Sequence, residues 1–399
     1  MNVLFISCIY SEIQKEEFLH NSKRGYQFAA QNFQEALLDG FILNGIKPYV
    51  LTVPPLSTFP VGYRKPYVKT VDFLYKEEKF GKSFGYLNIP FVKNEAICKL
   101  RKNAKKWCRS VKGDKYILVY GLHPNLMSVS VALKQEFEDV KIGILVPDLP
   151  QFMGCNKYYK KLGIQRRNIE KVNMMIKDFD CYVVLTEPML NKLGIVQKPY
   201  VVIEGIYSCV DMNIVKERNN DIKSILYTGG LMLRYGIGLL VDAFMKIKGD
   251  DYRLWLCGFG DAVDYIKECM EKDKRIEYKG LCPKEEIVRL QRNATILVNP
   301  RLSSEEFTAY SFPSKTMEYM ASETPTVMFR LKCLPTEYEQ YLFFFEDESV
   351  DSMAETMKRV CEMNKKELAI IGEKASRFIR YNKNAAIQVK KIVNILKEC

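Results

Sequence analysis

The sequence predicts an α/β protein that contains two doubly wound, mostly parallel sheets. Strand-like and helix-like patterns alternate along both halves of the chain, as in successive βαβ units. The 399 residues are enough for two domains of about 200 residues each. In the second half, glycine-rich turns directly follow buried strands, which is where open α/β sheets bind ligands.

Each predicted strand of the first half is a short apolar run, and each predicted helix repeats apolar residues at intervals of three and four. The strands are Val3–Ser7, Lys47–Val53, Tyr116–Tyr120, Lys141–Val146, Cys181–Thr186 and Tyr200–Ile203. The helices are Gln27–Leu38, Lys93–Val111, Pro124–Lys134 and Arg167–Asp178. Together they define an N-terminal Rossmann-like domain of residues 1–205.

A polar stretch, Asp211–Asp221, is predicted to link this domain to a second series of the same kind over residues 206–380. Its strands are Ser224–Thr228, Arg253–Cys257, Ile276–Lys279, Thr295–Val298, Pro325–Met328 and Leu342–Phe345. Its helices are Gly238–Ile247, Ala262–Met270, Lys284–Asn293, Ser314–Ala321 and Ser352–Met363. A basic amphipathic helix, about Ala385–Lys397, closes the chain. We expect residues 381–399 to cross back onto the N-terminal domain.

The composition argues against metal, disulfide and membrane-spanning classes. Twelve cysteines lie scattered without a CxxC pair, which favours reduced thiols in a cytosol. With only two histidines, a metal site of Cys and His side chains has almost no support. No apolar run approaches the ~18 residues of a membrane-spanning helix, and Met1–Ser7 lacks the basic region of a signal peptide. We therefore expect a cytoplasmic protein.

The positive charge is concentrated in the first half. Residues 1–205 carry 30 Lys and Arg against 19 Asp and Glu, whereas the remaining residues carry 30 against 29. The net charges are therefore +11 and +1, which add to the +12 of the whole chain. This asymmetry indicates that the first half faces an acidic surface: anionic lipid, a phosphorylated acceptor or nucleic acid.

The segment Asn299–Pro325 collects ligand-type side chains at one strand-to-helix junction. It follows the strand Thr295–Val298 and leads into the helix that starts at Ser314. A helix N-terminus favours an anion, and basic side chains add the charge that a diphosphate would require. The candidate residues of this junction are Arg301, Ser303, Ser304, Tyr310, Ser311, Ser314, Lys315 and Glu318. Glu318 has the position to accept hydrogen bonds from a ribose diol.

Two glycine-rich turns complete the predicted ligand site. Gly229 and Gly230 follow the strand Ser224–Thr228, and paired glycines there let the backbone approach a phosphate. Gly258 and Gly260 follow the next strand in the same way. Either turn alone is weak, because glycine often ends strands for steric reasons, but three such strand ends in one sheet favour a single ligand site.

These motifs resemble the GT-B glycosyltransferases of family 4, a retaining, metal-independent group that uses nucleotide sugars. The matching segments, in order, are Tyr227–Gly230, Leu256–Asp261, Tyr278–Gly280, Asn299–Arg301 and Phe312–Glu318. The similarity is greatest to bacterial members that build capsule, exopolysaccharide or O-antigen chains. It implies two Rossmann-like domains with a cleft between them, and a UDP- or GDP-sugar donor that binds without a metal or cofactor.

The resemblance also implies roles for single residues. Glu318 matches the glutamate that holds the nucleotide ribose, whereas Tyr310 replaces the glutamate eight residues earlier that contacts sugar hydroxyls. The family's Arg and Lys of the first glycine-rich turn correspond to Gly230 and Tyr235 here. We expect three basic residues to supply the missing charge at the diphosphate: Arg234, Arg301 and Lys315.

The acceptor side is predicted from strand ends in the first half. His123 follows the strand Tyr116–Tyr120 at a helix start, where the family has a histidine that contacts donor sugar or acceptor; the alternative is a helix-capping residue. With Arg301 and Lys315 it forms the predicted catalytic set. Asp148, which follows another strand, and His20, in a predicted loop Ser11–Gly25, are further acceptor-side candidates.

The segment Ile97–Val111 has an apolar face and a basic face at helical spacing. Such a helix can lie on an anionic membrane, and the alternative is a packed helix with a solvated basic face. The leading hypothesis is a retaining transferase that moves a sugar from a nucleotide sugar to a saccharide or polyprenyl-linked saccharide, on or near the inner face of the cytoplasmic membrane. Alternatives are a non-catalytic GT-B partner subunit and a GT-B-fold sugar-nucleotide epimerase; no nucleic-acid motif is found.

Overall fold

The computed structural model describes residues 1–23, 28–89, 94–152, 163–208 and 222–399. The linker predicted at Asp211–Asp221 lies outside these residues. The chain divides into two compact units. Unit 1 comprises Met1–Ile206 and Ala385–Cys399, and unit 2 comprises Tyr207–Asn384.

Unit 1 contains a parallel sheet with one antiparallel edge strand. Its strands are β1 (Asn2–Ser7), β2 (Tyr49–Thr52), β3 (Val71–Tyr75), β4 (Glu78–Ser83), β5 (Lys115–Tyr120), β6 (Val140–Val146), β7 (Cys181–Val184) and β8 (Tyr200–Val202). The strand order is β3-β4-β2-β1-β5-β6-β7-β8, and only β3 runs antiparallel to its neighbour. Its helices are α1 (Glu12–Asn21), α2 (Phe28–Leu43), α3 (Asn94–Ser110), α4 (Pro124–Glu136), α5 (Ile164–Met175), α6 (Pro188–Leu193) and, from the end of the chain, α13 (Ala385–Glu398).

The sequence prediction missed strands β3 and β4 and helices α1 and α6 of unit 1. The β3–β4 hairpin turns at Lys76 and Glu77, which have φ of 51° and 64° and lack the glycine that usually signals such a turn. The carboxylate of Glu12 accepts hydrogen bonds from the backbone N–H groups of both turn residues. Glu12 itself begins α1, in a segment predicted to be a loop. A contact distant in sequence therefore stabilises a turn that local propensity does not favour.

The final helix α13 packs on the unit 1 sheet beside α2. Val389, Ile392 and Leu396 are fully buried in the same core as Phe5 and Leu118. At Gly40 of α2 the two helices approach so closely that an added Cβ would lie 2.2 Å from Val389 Cγ2 and 2.4 Å from the Ala385 carbonyl oxygen. Glycine is therefore required at this crossing by lack of space.

We expect Gly40→Ala to destabilise unit 1 by about 1–3 kcal/mol, the usual cost of overpacking a filled core. Gly238→Ala is the matched control, because its Cβ would meet only side-chain atoms at 3.5 Å or more in a helix of unit 2. Alanine there should be neutral or stabilising by about 0.5–1 kcal/mol. Chemical denaturation measures both. Equal stability of the two variants would show that α2 and α13 are not in close contact in solution.

Unit 2 contains a six-stranded parallel sheet. Its strands are β9 (Lys223–Gly230), β10 (Tyr252–Phe259), β11 (Ile276–Gly280), β12 (Ile296–Asn299), β13 (Thr326–Met328) and β14 (Phe343–Phe344). Its helices are α7 (Ile237–Lys246), α8 (Val263–Lys272), α9 (Lys284–Asn293), α10 (Ser314–Ala321), α11 (Val350–Cys361) and α12 (Lys365–Asn382). Helix α12 was not predicted, although its buried Leu368, Ala375 and Ile379 repeat at helical spacing.

The order β11-β10-β9-β12-β13-β14 places the first strand of unit 2 beside the fourth. Such a reversal of strand order is the topological switch point at which doubly wound sheets bind ligands. The expectation of two Rossmann-like parallel sheets is confirmed. Strand β9 also runs two residues further than predicted, so that Gly229 and Gly230 end a strand instead of forming a turn.

The basic helix α3 is an ordinary packed helix. Its apolar residues Leu100, Ala104 and Trp107 are buried in unit 1, so they offer no face for insertion into lipid. Its outer face carries exposed Arg101, Lys102 and Lys106. Within the described part of the chain, no helix has the length and apolar character needed to span a membrane.

Candidate functional site

The strongest candidate site lies at the switch point of unit 2, where β9 and β12 end side by side. The two strands pair only at Ile225↔Ile296 and Leu226↔Leu297 and diverge beyond that point. The loops that follow them meet again at Gly236, where an added Cβ would lie 2.1 Å from the Pro300 carbonyl oxygen. Arg234 and Arg301 follow β9 and β12 at this end of the sheet, beside the crevice between the diverging strands.

Two guanidinium groups and two aromatic rings form the core of this site. The Arg301 guanidinium lies over the rings of Tyr235 and Phe307, 5.2 Å and 5.4 Å from their centroids. One of its N–H groups donates to the Ser311 carbonyl oxygen at 3.1 Å. The Arg234 guanidinium lies 5.0 Å from the centroid of the same Tyr235 ring and donates to its hydroxyl at 3.2 Å. The two cations are thus oriented by a shared aromatic ring.

Neither guanidinium forms a salt bridge with a carboxylate of the described residues. Burial lowers the pKa of Arg301, because its guanidinium has lost water without gaining a counter-charge. The positive charge of nearby Arg234 lowers this pKa further. An arginine remains protonated at neutral pH in spite of such a shift. A desolvated cation is costly, and an anionic ligand would offset that cost. The arrangement is suited to a phosphate or diphosphate.

Helix α10 places the other predicted donor residues at the same edge of the sheet. The Lys315 ammonium forms a salt bridge with the Glu318 carboxylate, 2.5 Å between Nζ and Oε2. Both side chains are about one-third to one-half exposed, so the pair is weak and a ligand can compete for either partner. Ser314 is exposed in the first turn, and Pro313 at the N-cap provides no capping side chain. The first N–H groups of α10 therefore lack a side-chain cap, as an anion site requires.

The loop between β12 and α10 contains both candidate ligands and structural residues. The hydroxyls of Ser303 and Ser304 donate to the Glu348 carboxylate at 2.7 Å and 2.5 Å, so these serines hold the loop in place. Tyr310 follows a short 3-10 helix, Glu306–Ala309, and is half-buried. Ser311 uses its carbonyl oxygen to hold Arg301. The serine cluster predicted from the sequence is therefore only partly available to a ligand.

Two of the four predicted glycine positions have a steric explanation. An added Cβ at Gly258 would lie 1.8 Å from the Gly229 carbonyl oxygen, because the ends of β9 and β10 run side by side. An added Cβ at Gly260 would lie 2.1 Å from the Leu231 carbonyl oxygen. By contrast, Gly230 has only ordinary contacts at 3.5 Å or more. Close packing of two strand ends thus requires glycine at two of the four positions.

In unit 1, His123 lies at the switch point between β1 and β5. It occupies the N-cap position of α4, but its side chain does not cap the helix. The imidazole lies against Gly121, where an added Cβ would be 2.9 Å from Cδ2. Burial lowers the pKa of His123, so the ring is neutral at neutral pH, and it forms no side-chain hydrogen bond with any described residue. A neutral, unbonded imidazole is available to a ligand.

The two remaining acceptor-side candidates differ in position. Asp148 follows β6, the neighbour of β5, and desolvation raises the pKa of its carboxyl although part of the side chain is open to water. His20 was predicted in a loop, but it lies exposed in the last turn of α1. That prediction of a loop is wrong, because Phe18 and Gln14 anchor the segment as a helix.

Three aromatic residues of the site were not assigned a role from the sequence. Tyr235 and Phe307 were not assigned a binding role, and buried Tyr319 of α10 was not considered. Aromatic side chains that support a guanidinium look like core residues in a sequence, and the contact of Tyr235 with Arg301 joins two segments that are distant along the chain. Among the described residues, no group of three or more His, Cys, Asp and Glu side chains is placed to hold a metal ion.

Part of the sequence matches a known family. Residues 222–363, most of unit 2, match the family model "Glycosyl transferases group 1". This segment includes all six strands, β9 to β14, and therefore Arg234, Arg301 and helix α10. No curated protein sequence matches the chain.

The whole chain is similar in structure to several solved proteins. A glycosyltransferase from Rickettsia africae is 16% identical with a TM-score of 0.67, and the match covers 100% of this chain and 99% of that protein. The lipopolysaccharide outer core galactosyltransferase WaaB and Anabaena HepE in complex with UDP are each 13% identical with a TM-score of 0.65. Both similarities cover 100% of this chain, together with 99% of WaaB and 100% of HepE. At these identities the likeness shows the fold, which is GT-B. The family match and this fold support a glycosyltransferase.

Proposed function

We propose that this GT-B glycosyltransferase is a retaining, metal-independent enzyme of family 4 that transfers a hexose from a nucleotide-diphosphate sugar. The acceptor is a saccharide or a polyprenyl-linked saccharide in bacterial surface polysaccharide synthesis. The observation that carries the proposal is the pair of guanidinium groups, Arg234 and Arg301, without a carboxylate partner among the described residues at the switch point of unit 2. Two oriented cations beside the first turn of α10 match the charge of a diphosphate. The UDP seen with HepE is consistent with such a donor.

The proposed chemistry depends on stabilising the leaving group. As the bond between the sugar and the diphosphate breaks, negative charge develops on the phosphate oxygens. Arg301, Arg234 and Lys315 would stabilise that charge, a preorganised electrostatic effect that is usually the largest single contribution to catalysis. The acceptor hydroxyl attacks on the face from which the phosphate departs, and the phosphate takes its proton. The sugar configuration is thereby retained, and no side-chain nucleophile is needed.

Unit 1 would bind the acceptor. His123 is neutral, so its ring can accept a hydrogen bond from a sugar hydroxyl through one nitrogen and donate one through the other. Asp148, at the end of the neighbouring strand, would accept from a second hydroxyl. The charge of +11 on residues 1–205 would favour an acceptor that carries phosphate.

A thermal-shift screen against UDP, GDP, CDP and their sugars tests the proposal. A ligand at a hundred times its Kd should stabilise the protein by about 2.7 kcal/mol. We expect one nucleotide diphosphate to raise the Tm, and an Arg301→Met variant to lose that shift. Binding without turnover on any acceptor would favour the alternative of a non-catalytic partner subunit. Conversion of a free nucleotide sugar into its epimer would favour the epimerase. No shift with any nucleotide would contradict the donor site itself.

Turnover is expected to be independent of added metal, because the arginines and Lys315 supply the charge that a divalent cation would otherwise provide. The measurement is the initial rate after dialysis against EDTA, with and without Mg²⁺ or Mn²⁺. Rates that agree within twofold would support the proposal. Loss of activity in EDTA with recovery on addition of Mn²⁺ would contradict the assignment to a metal-independent mechanism.

We further propose that unit 1 adsorbs to anionic membranes by charge alone, since the apolar face of α3 is buried. Arg101, Lys102, Lys106 and Lys112 are exposed and form no salt bridge within the described residues. Each basic residue near an anionic surface contributes about 1 kcal/mol. Lys99 and Lys105 are instead paired with Glu95 and Glu136.

Co-sedimentation with vesicles rich in anionic lipid should show binding that falls with salt, because the Debye length shrinks to about 3 Å at 1 M. Changing the four unpaired residues to Glu should abolish it. Binding that persists at high salt would instead indicate an apolar insertion. Absence of binding at low salt would indicate an enzyme that acts on a soluble acceptor.

A further inference from the structure

At the switch point, one side chain forms the hydrogen bonds of backbone groups that the sheet leaves unpaired. Beyond Leu226 the edge of β9 that faces β12 no longer has a partner strand, while its other edge stays paired with β10 up to Gly230. The N–H and C=O of Thr228 point into this gap. Buried backbone groups of this kind need a hydrogen-bond partner.

The hydroxyl of Tyr319 fills the gap. It accepts a hydrogen bond from the Thr228 N–H at 2.8 Å and donates to the Thr228 carbonyl oxygen at 3.1 Å. The Thr228 hydroxyl lies 3.4 Å from it and accepts from Nε2 of Gln291 at 3.1 Å. Thr324 in turn donates to the Gln291 carbonyl oxygen at 2.7 Å. The whole network is buried, so each hydrogen bond is shielded from water.

The position of Tyr319 connects this network to the predicted ligand-binding residues of α10. Tyr319 belongs to α10, one turn after Lys315 and next to Glu318, and these two side chains lie on the outer face of the helix. Thr228 directly precedes Gly229 and Gly230 at the end of β9. A second hydrogen bond, from Asn299 Nδ2 to Thr316 Oγ1 at 3.3 Å, connects α10 to the end of β12. Helix α10 is therefore tied to both strands that border the crevice.

We propose that Tyr319 is a positioning residue for the donor: its hydroxyl sets the distance between α10 and the glycine end of β9. Lys315, Glu318 and the backbone of Gly229–Gly230 then face one ligand at a fixed spacing. This inference rests on the proposed function, because it assumes that the ligand at these residues is a nucleotide diphosphate. Only two rotatable bonds separate the rigid ring from the backbone of α10. The position of the hydroxyl therefore fixes the position of the helix.

The test compares Tyr319→Phe with Tyr252→Phe. Tyr252 is also a buried tyrosine of unit 2, and its hydroxyl donates to Glu362 at 3.0 Å. It lies at the start of β10, so it is at the amino end of the strands, away from the candidate site. Both variants lose one buried hydroxyl, and both should lower the Tm. Only Tyr319→Phe should weaken binding of the nucleotide diphosphate found in the screen, by about tenfold, and raise KM for the donor more than it lowers kcat. A Kd within twofold of that of Tyr252→Phe would overturn the proposal.

A second measurement does not depend on any ligand. Hydrogen exchange of the peptide that spans Thr228–Gly236 should accelerate in Tyr319→Phe and stay unchanged in Tyr252→Phe. If Tyr319→Phe does not fold, Gln291→Met is the substitute, because it removes the hydrogen bond from Gln291 to the Thr228 hydroxyl. It should also weaken nucleotide binding and accelerate exchange, both to a smaller extent. If exchange is faster in Tyr319→Phe but the unaltered protein binds no nucleotide, the proposed function is rejected. The hydrogen-bonded connection between α10 and β9 would still be supported. Unchanged exchange would reject the positioning role itself.

Discussion

Replacement of Arg301 by Met is expected to reduce turnover by about 10²–10³-fold, the effect of removing one preorganised charge at a developing anion. The variant should nevertheless be as stable as the native protein or more so. Arg301 has no carboxylate partner among the described residues, and burial disfavours its charge, so its removal relieves a cost of folding. Loss of activity with a gain in stability is the pattern expected of a binding-site cation.

Arg275→Met provides the matched control. Arg275 is another partly buried arginine of unit 2, with its guanidinium 5.0 Å from the centroid of the Phe244 ring. It is paired with Asp273 and donates to the carbonyl oxygens of Ile247 and Gly249 at the amino edge of the sheet. Its replacement should lower the Tm and leave kcat almost unchanged. Turnover of Arg301→Met within threefold of the native value would remove the main support for the diphosphate site.

Glu318→Gln is expected to weaken nucleotide binding by about 10²-fold. A carboxylate that accepts two hydrogen bonds from a ribose diol gains about 1.5–3 kcal/mol from each, and an amide retains only part of this. The salt bridge between Glu318 and Lys315 must open for both to reach the ligand, but exposed pairs of this kind cost less than about 1 kcal/mol to break. Calorimetry with UDP or GDP, whichever binds, measures the loss.

The ribose assignment has its own control in the ligand. The 2′-deoxynucleotide should bind the native protein about tenfold more weakly than the ribonucleotide, and should bind Glu318→Gln with nearly the same affinity as the ribonucleotide. Such a double-mutant cycle isolates the contact between Glu318 and the sugar. Additive losses in the cycle would assign Glu318 to another part of the ligand.

The donor side of the site was well suited to prediction from the sequence. Arg301, Lys315 and Glu318 belong to one continuous segment, and a buried strand followed by Pro313 and a helical pattern defines their place without any distant contact. Parallel strands end at one edge of a sheet, so Gly229 and Arg301 could be expected near each other although 72 positions separate them. Local patterns and one rule of topology were sufficient here.

The sequence alone determined the alternation of strands and helices, the two parallel sheets and the strand ends at which ligand-type residues gather, because these follow from local periodicity and from the handedness of βαβ units. Only the tertiary structure decided which of these residues are used for packing and which lack a partner. Ser303 and Ser304 bond to Glu348, the apolar face of α3 is buried, and Arg301 is held over Tyr235. These outcomes depend on contacts between segments distant along the chain, for which a residue's own neighbours carry no information.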